Sequence, residues 1–256
     1  MKSWAGVGEA YATSYASLCA GTLDALFAAL GPARGRSLLD VGAGTGELLD
    51  RAAGAGWRAM GCEPEPTMRE VADRARPGLS IVAAALPDLP FESASFDAVT
   101  ANFVLNHVDD PRVSAGEMRR VVAQDGMLAA TIWTSSPSWF WIEVCERAGV
   151  TPAPGDRLPE EKDFARTADG FSAMLTDAGW RDLSIVEQDW TWDVAPATLW
   201  RSAEGGVASA GLFYRALDPV DRGRFRVGFD ETCAAHSEGG GLRLRHSAAL
   251  AVGRAL

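Results

Sequence analysis

The chain has 256 residues, 47% hydrophobic and 23% charged, enough for a sizeable core in one domain or in one domain with a cap. A formal net charge of −10 disfavours nonspecific binding to nucleic acid or to an anionic membrane, so neither is expected as a partner. Cys19, Cys62, Cys145 and Cys233 are scattered without a CxxC pair, no apolar run is of bilayer length, and no signal peptide is expected. A reducing cytoplasm is the expected setting, and no metal site is indicated.

In chain order, residues 7–30 read as one helix with Tyr11, Tyr15, Leu18 and Thr22 on a face and Gly31-Pro32 as its stop, an N-terminal lid over residues 1–30. Strands are expected near 37–42, 58–63, 79–85, 96–103 and 126–133. They alternate with helices near 46–55, 66–75, 111–123 and 137–148, which implies a right-handed, mostly parallel sheet. Ser136 is placed to cap the helix at 137–148, with Pro137 in its first turn and Gly149 after its end. Residues 150–168, with Pro152, Pro154 and Pro159, read as a covering loop. Strands six and seven are expected at 182–192 and 242–253, separated by two helices within 196–241. Residues 31–135 thus form the core, and 136–256 the cap insertions and last strands.

The most informative stretch is Leu38-Leu39-Asp40-Val41-Gly42-Ala43-Gly44-Thr45-Gly46, a buried-strand pattern ending in a glycine turn that opens a helix. Glycines there let backbone N–H groups approach a ligand, and the helix N-terminus favours a negative group. Glu63, at the end of the next strand, is placed to accept hydrogen bonds from ribose hydroxyls. A nicotinamide-dinucleotide site also pairs a glycine turn with an acid roughly 20 positions on. Its third glycine would fall at position 47, which here is Glu47, and Asp40 would sit close to the pyrophosphate. An amino acid's ammonium group suits Asp40 better.

Five ordered blocks now stand together. They are Leu39-Asp40-Val41-Gly42-Ala43-Gly44-Thr45-Gly46; Gly61-Cys62-Glu63-Pro64; the run from Leu89 through Phe96-Asp97 to Val99; Asn106-His107-Val108-Asp109-Asp110-Pro111; and Glu117-Met118-Arg119-Arg120 through Gly126-Met127-Leu128. Together they resemble the class I S-adenosylmethionine-dependent methyltransferases, in particular the subgroup that includes ubiquinone/menaquinone and small-natural-product methyltransferases. The resemblance implies an α/β, Rossmann-like sheet of seven strands in the order 3-2-1-4-5-7-6, strand seven antiparallel, with helices on both faces and a helical cap.

For the donor, S-adenosyl-L-methionine, the resemblance implies a site made by Gly42, Ala43 and Gly44, by Asp40 toward the ammonium group, and by Glu63 with Pro64 at the ribose. Met68 is expected to pack on the adenine, and Asn102 and Phe103 to approach the methionyl part. Where many relatives carry an aspartate for the adenine amino group, this chain has Ala85 beside Leu86, which leaves backbone groups or Asp88 for that task. Tyr11 and Tyr15 are candidates to close over the donor and the acceptor, with a cation–π contact to the sulfonium available, or simply to staple the first helix to the sheet. His107 is the candidate general base, its alternative role being packing at a helix start. His236, close to Asp230 and Glu231, is the second candidate. Trp133 and Trp139 are expected to line an apolar acceptor pocket. The expected function is methyl transfer to a small, largely apolar or aromatic metabolite, at oxygen or nitrogen ahead of carbon, by a monomer or homodimer of secondary metabolism. A cyclase or noncatalytic binding module that uses the donor as a scaffold is the alternative.

Overall fold

The structure, a computed structural model, describes residues 4–136, 138–152 and 158–255, with Glu238 described by its backbone alone. Pro137 and Pro154 lie outside the described residues. The N-terminal segment differs from the single helix expected. It comprises α1 (Gly8–Ala12), α2 (Tyr15–Cys19), a 3-10 turn (Ala20–Thr22) and α3 (Leu23–Leu30). The break falls at Thr13-Ser14, whose hydroxyls donate back to the carbonyls of Glu9 and Ala10 and compete with the helical ladder.

The core then alternates as β1 (Ser37–Val41), α4 (Glu47–Gly54), β2 (Arg58–Cys62), α5 (Pro66–Ala75), β3 (Ile81–Val82), β4 (Phe96–Asn102), α6 (Pro111–Val121) and β5 (Val122–Ser135). The third strand is shorter than expected: after Val82 the alanine-rich chain leaves the ladder for a tight turn in which the Asp88 N–H donates to the Ala85 carbonyl. The second half holds α7 (Ser138–Ala148), α8 (Ala168–Asp177), β6 (Trp180–Val194), α9 (Pro196–Glu204), α10 (Ala208–Ala216), α11 (Pro219–His236), β7 (Ser237–Glu238) and β8 (Gly241–Ala255).

The sheet runs β3-β2-β1-β4-β5-β8-β6, with the first five strands parallel and β8 antiparallel to both neighbours. The order 3-2-1-4-5-7-6 is therefore met, the seventh long strand being β8. The extra two-residue β7 exists because Gly239 and Gly240, with φ of +62° and +90°, close a two-residue hairpin onto β8. Where two cap helices were expected there are three. The second break is made by Asp218, which caps α11 by accepting from the Val220 and Asp221 N–H groups, and by Pro219 behind it.

Alternation sends Leu38 and Ala98 to one face, against Leu26, Leu30 and Trp57, and Leu39 and Val99 to the other, against Met118, Phe171 and Trp180. A third cluster joins the cap to the sheet through Trp141, Phe225, Phe229 and Trp200. The site lies where this cluster meets the carboxyl ends of β1, β2, β4 and β5, the usual place for a ligand crevice in such a sheet.

Candidate active site

At the end of β1 the chain turns through Gly42, Gly44 and Gly46, with φ of +67°, +54° and +91°. The Gly42 and Ala43 N–H groups both donate to the Cys62 carbonyl at 2.8 and 3.0 Å, tying the turn to the tip of β2. A Cβ on Gly42 would come 2.6 Å from Val104 Cγ2, so this glycine is needed for packing. Gly44 differs: its nearest side-chain neighbour would be Tyr11 Cε1 at 3.8 Å, leaving backbone exposed to a ligand.

Glu63 is buried, and its carboxylate accepts from the Gly44 N–H at 3.0 Å and the Glu65 N–H at 2.9 Å. Burial raises its pKa against those bonds. The two main-chain donors fix the carboxylate beside the glycine turn. Asp40 is 2% exposed and accepts from Thr100 Oγ1 at 2.8 Å. Burial pushes its pKa up to about 7, opposed by the Thr100 bond and reinforced by the carboxylates of Glu63 and Glu47.

Two connected spaces adjoin these groups. A small one of about 40 Å³ is lined by Asp40, Ala43, Gly44, Glu47, Tyr11, Cys19 and Asn102. The larger, of about 820 Å³, is lined by Gly42, Gly44, Glu63, Pro64, Met68, Ala85 and Leu86 from the tips of the first strands and their following turns, and also by Tyr11, Tyr15, Asn102, Phe103, His107 and Trp133. That volume is at the upper part of the range for small-molecule sites. Asp88 is exposed and stands outside the lining, leaving the main chain around Ala84 and Ala85 as the polar edge there.

Burial, with the charge of Arg166 adding, lowers the His107 pKa to about 4, so the imidazole is neutral across the physiological range. Its ring meets Trp4 edge-on at 5.1 Å. The Tyr15 hydroxyl accepts from Trp141 Nε1 at 2.8 Å, and burial pushes its pKa up to about 12. Phe103 stacks on Trp133 with ring centroids 3.8 Å apart and planes 9° from parallel.

Two expected acceptor-side residues lie elsewhere. Trp139 packs edge-on against Phe140 and His236, and His236 Nε2 pairs with Glu143 Oε2 at 2.7 Å. Neither lines the cavity. The reason is helical phase: Ser138, Trp141, Ile142 and Cys145 form the i, i+3, i+4, i+7 stripe of α7 that faces the cavity, and Trp139 points off it. That stripe was the available sequence signal for Trp141, Ile142 and Cys145. Trp4, Leu212, Phe213 and Phe225 also line the space, brought in by chain segments whose spacing carries no such sign. Among the described lining residues the only acidic side chains are Glu63 and Glu65, and there is no lysine or arginine.

These residues could hold the donor. The open Gly44 backbone, the anchored Glu63 carboxylate and the buried Asp40 offer, in turn, approach room, hydroxyl acceptors and a partner for an ammonium group. Comparison with known proteins agrees. A family profile described as "Methyltransferase domain" matches residues 39–130. The chain is 30% identical to a demethylmenaquinone methyltransferase of Renibacterium salmoninarum, over 61% of this chain and 71% of that protein. It is 33% identical to one of Beutenbergia cavernae, over 62% of this chain and 70% of the relative. Among solved structures, the YcgJ protein of Bacillus subtilis superposes with a TM-score of 0.58 at 18% identity, covering 91% of this chain and 97% of that one. The [4+2]-cyclase SpnF shares the fold with a TM-score of 0.53 at 21% identity, over 90% of this chain and 79% of the cyclase. The chain belongs to the class I S-adenosylmethionine-dependent methyltransferases, an enzyme family whose methyl donor is S-adenosyl-L-methionine.

Proposed function

We propose that the enzyme methylates a small, uncharged, apolar or aromatic acceptor, at oxygen or nitrogen in preference to carbon. The observation that carries this reading is the composition of the cavity: Trp133, Trp141, Ile142, Cys145, Phe213 and Phe225, with no cationic side chain among the described lining residues to meet a phosphate or carboxylate. Burying an unpaired anion there would cost far more than the contacts return. Two relatives named for demethylmenaquinone, an apolar quinone, support the same acceptor class.

When bound, S-adenosylmethionine supplies a methyl group on a sulfonium, already electrophilic. The protein's task is therefore to hold the two reactants in line and exclude water. In this reading Gly44 presents backbone, Glu63 takes the ribose hydroxyls, and Asp40 faces the ammonium group across the small space. Met68 and the Ala85–Leu86 segment flank the adenine, while Tyr11, Asn102 and Phe103 border the methionyl part. Tyr15, Trp133 and Trp141 wall the acceptor. His107, neutral because burial disfavours its cation, is placed to take the proton that an attacking hydroxyl or amine releases.

The test is mass spectrometry of reactions with a panel of uncharged hydroxy- and amino-aromatics beside their phosphorylated and carboxylated counterparts. The expected result is one added methyl per molecule of S-adenosylhomocysteine, confined to the uncharged set. Turnover of the anionic set alone would overturn the acceptor class. Rearranged acceptor with the donor unconsumed would favour the scaffold reading.

A further inference from the structure

Phe103 is the one buried residue among the non-glycine residues with positive φ in the described chain, at φ +59° and 4% exposed. A bulky aromatic in the left-handed region is strained and persists only where its surroundings over-determine it. Here the restraint is visible. The Phe103 N–H has two acceptors on one residue of β5, the Thr131 hydroxyl at 3.0 Å and the Thr131 carbonyl at 3.2 Å. The Thr131 hydroxyl proton is committed in turn to Asn102 Oδ1 at 2.6 Å. The same amide reaches the N-terminal segment: Asn102 Nδ2 donates to the Cys19 carbonyl at 3.0 Å, and Thr22 Oγ1 donates to Asn102 Oδ1 at 2.8 Å. Thr131 and Thr22 are both buried, 0% and 1% exposed.

We infer that Thr131 is a positioning residue for methyl transfer: acting with Asn102, it holds Phe103 in its left-handed turn so that the ring lies flat on Trp133, and it links that aromatic wall to the N-terminal segment bordering the donor. The inference rests on the methyl-transfer reading of the cavity. Without the Thr131 hydroxyl, Phe103 keeps one long backbone bond, and the turn relaxes toward ordinary extended geometry. The ring then leaves Trp133, and the wall against which an acceptor is aligned shifts. A displacement on the order of 1 Å can lower turnover about a hundredfold. Gly44, Glu63 and Asp40 belong to other strands and are left in place, so of the donor's surroundings only the methionyl border at Asn102 and Phe103 is disturbed.

The experiment compares the full chain with Thr131→Val, Thr131→Ser and Thr22→Val. Three quantities are read: donor affinity by calorimetry without acceptor, kcat with an uncharged aromatic acceptor, and the ring-current shift of the Phe103 ring protons in the free protein. For Thr131→Val the expected result is donor affinity lowered by no more than a few-fold, through the methionyl border alone, kcat lower by about tenfold or more, and loss of the upfield Phe103 signals. Thr131→Ser, which keeps the hydroxyl, restores both. Thr22→Val removes one of the two links from Asn102 to the N-terminal segment, leaving Asn102 Nδ2 on the Cys19 carbonyl, and is expected to weaken donor binding modestly with the Phe103 signals intact. The inference fails if Thr131→Val keeps its ring-current signature, if Thr131→Ser behaves like the valine variant, or if kcat and donor affinity fall together. Because the ring-current measurement needs no substrate, an enzyme that methylates none of the acceptors would sink the functional reading and still show whether Thr131 holds Phe103.

Discussion

Asp40 gives a perturbation with opposite effects on stability and binding. A carboxyl moved from 3.8 to about 7 by burial destabilises the ionised native state by about 4 kcal/mol relative to an exposed aspartate. The native protein holds this proton more tightly than the unfolded chain, so the contribution of Asp40 to stability is fully present below pH 3.8, is lost as pH rises toward 7, and is flat above that. Asp40→Asn keeps the shape and leaves Thr100 Oγ1 an acceptor at the same place, without the ionisation cost. The ligand-free variant is therefore expected to be more stable than wild type at pH 8, by up to about 4 kcal/mol in urea unfolding, and to show no such gain at pH 4. If the carboxylate faces the donor's ammonium group, the same substitution weakens donor binding at pH 8 by tenfold or more. Wild-type binding also expels the Asp40 proton, so donor affinity rises with pH up to about 7 and then levels off. Calorimetry in buffers of different ionisation enthalpy detects that released proton directly. Proton-independent binding across pH 6 to 8, or an asparagine variant that binds the donor normally, would refute the placement.

Other substitutions test separate parts of the structure. Gly44→Ala has room for its Cβ, with Tyr11 Cε1 at 3.8 Å, but carries left-handed strain of about 1–2 kcal/mol. It should unfold only a few degrees lower while losing at least tenfold in donor affinity, and an unchanged dissociation constant would contradict the backbone approach. His246 is 1% exposed among Trp133, Trp190 and Trp192, with neither ring nitrogen hydrogen-bonded to the described protein, and burial lowers its pKa to about 4. The unfolded chain takes up this proton first as pH falls from 6.5 to 4, costing about 3 kcal/mol of stability over that window. His246→Phe should flatten the acid limb of the stability profile by that amount, and an unaltered limb would show that the imidazole is not the group titrating. Tyr15→Phe leaves the Trp141 indole N–H without its 2.8 Å acceptor and is expected to cost about 1–2 kcal/mol, read as a lower melting temperature.

The core was legible because each of its signals is local. The apolar run before Gly42, the acid at Glu63 and the spacing of the first five strands each follow from a few adjacent residues, and the ordered blocks fixed the family. The break in the N-terminal helix is not legible in the sequence, because apolar periodicity continues across Thr13 and Ser14, whose hydroxyls bond backward only once the chain has turned. The extra helix start at Asp218-Pro219 is ordinary capping chemistry, an acidic N-cap followed by proline at the first helical position. Choosing Trp139 rather than Trp141 was a matter of phase. A helix three turns long carries aromatic rings on several sides, and only the packing of α11 against it, Phe225 and Phe229 on Phe140 and Trp141, determines which side is inward. The Asn102–Thr131 link joins residues 29 apart in sequence through strand pairing, and no spacing rule announces it.

Acidic groups crowd the donor end: Asp40 and Glu47 border the smaller space, Glu63 and Glu65 the larger, in a chain of net charge −10. The methyl donor arrives with one more positive charge than the thioether it leaves behind, since transfer extinguishes the sulfonium. The surrounding negative potential therefore attracts the incoming molecule more strongly than the spent one. If the donor sits here, the crevice should hold it in preference to the spent thioether through this charge difference, and added salt should erode that preference.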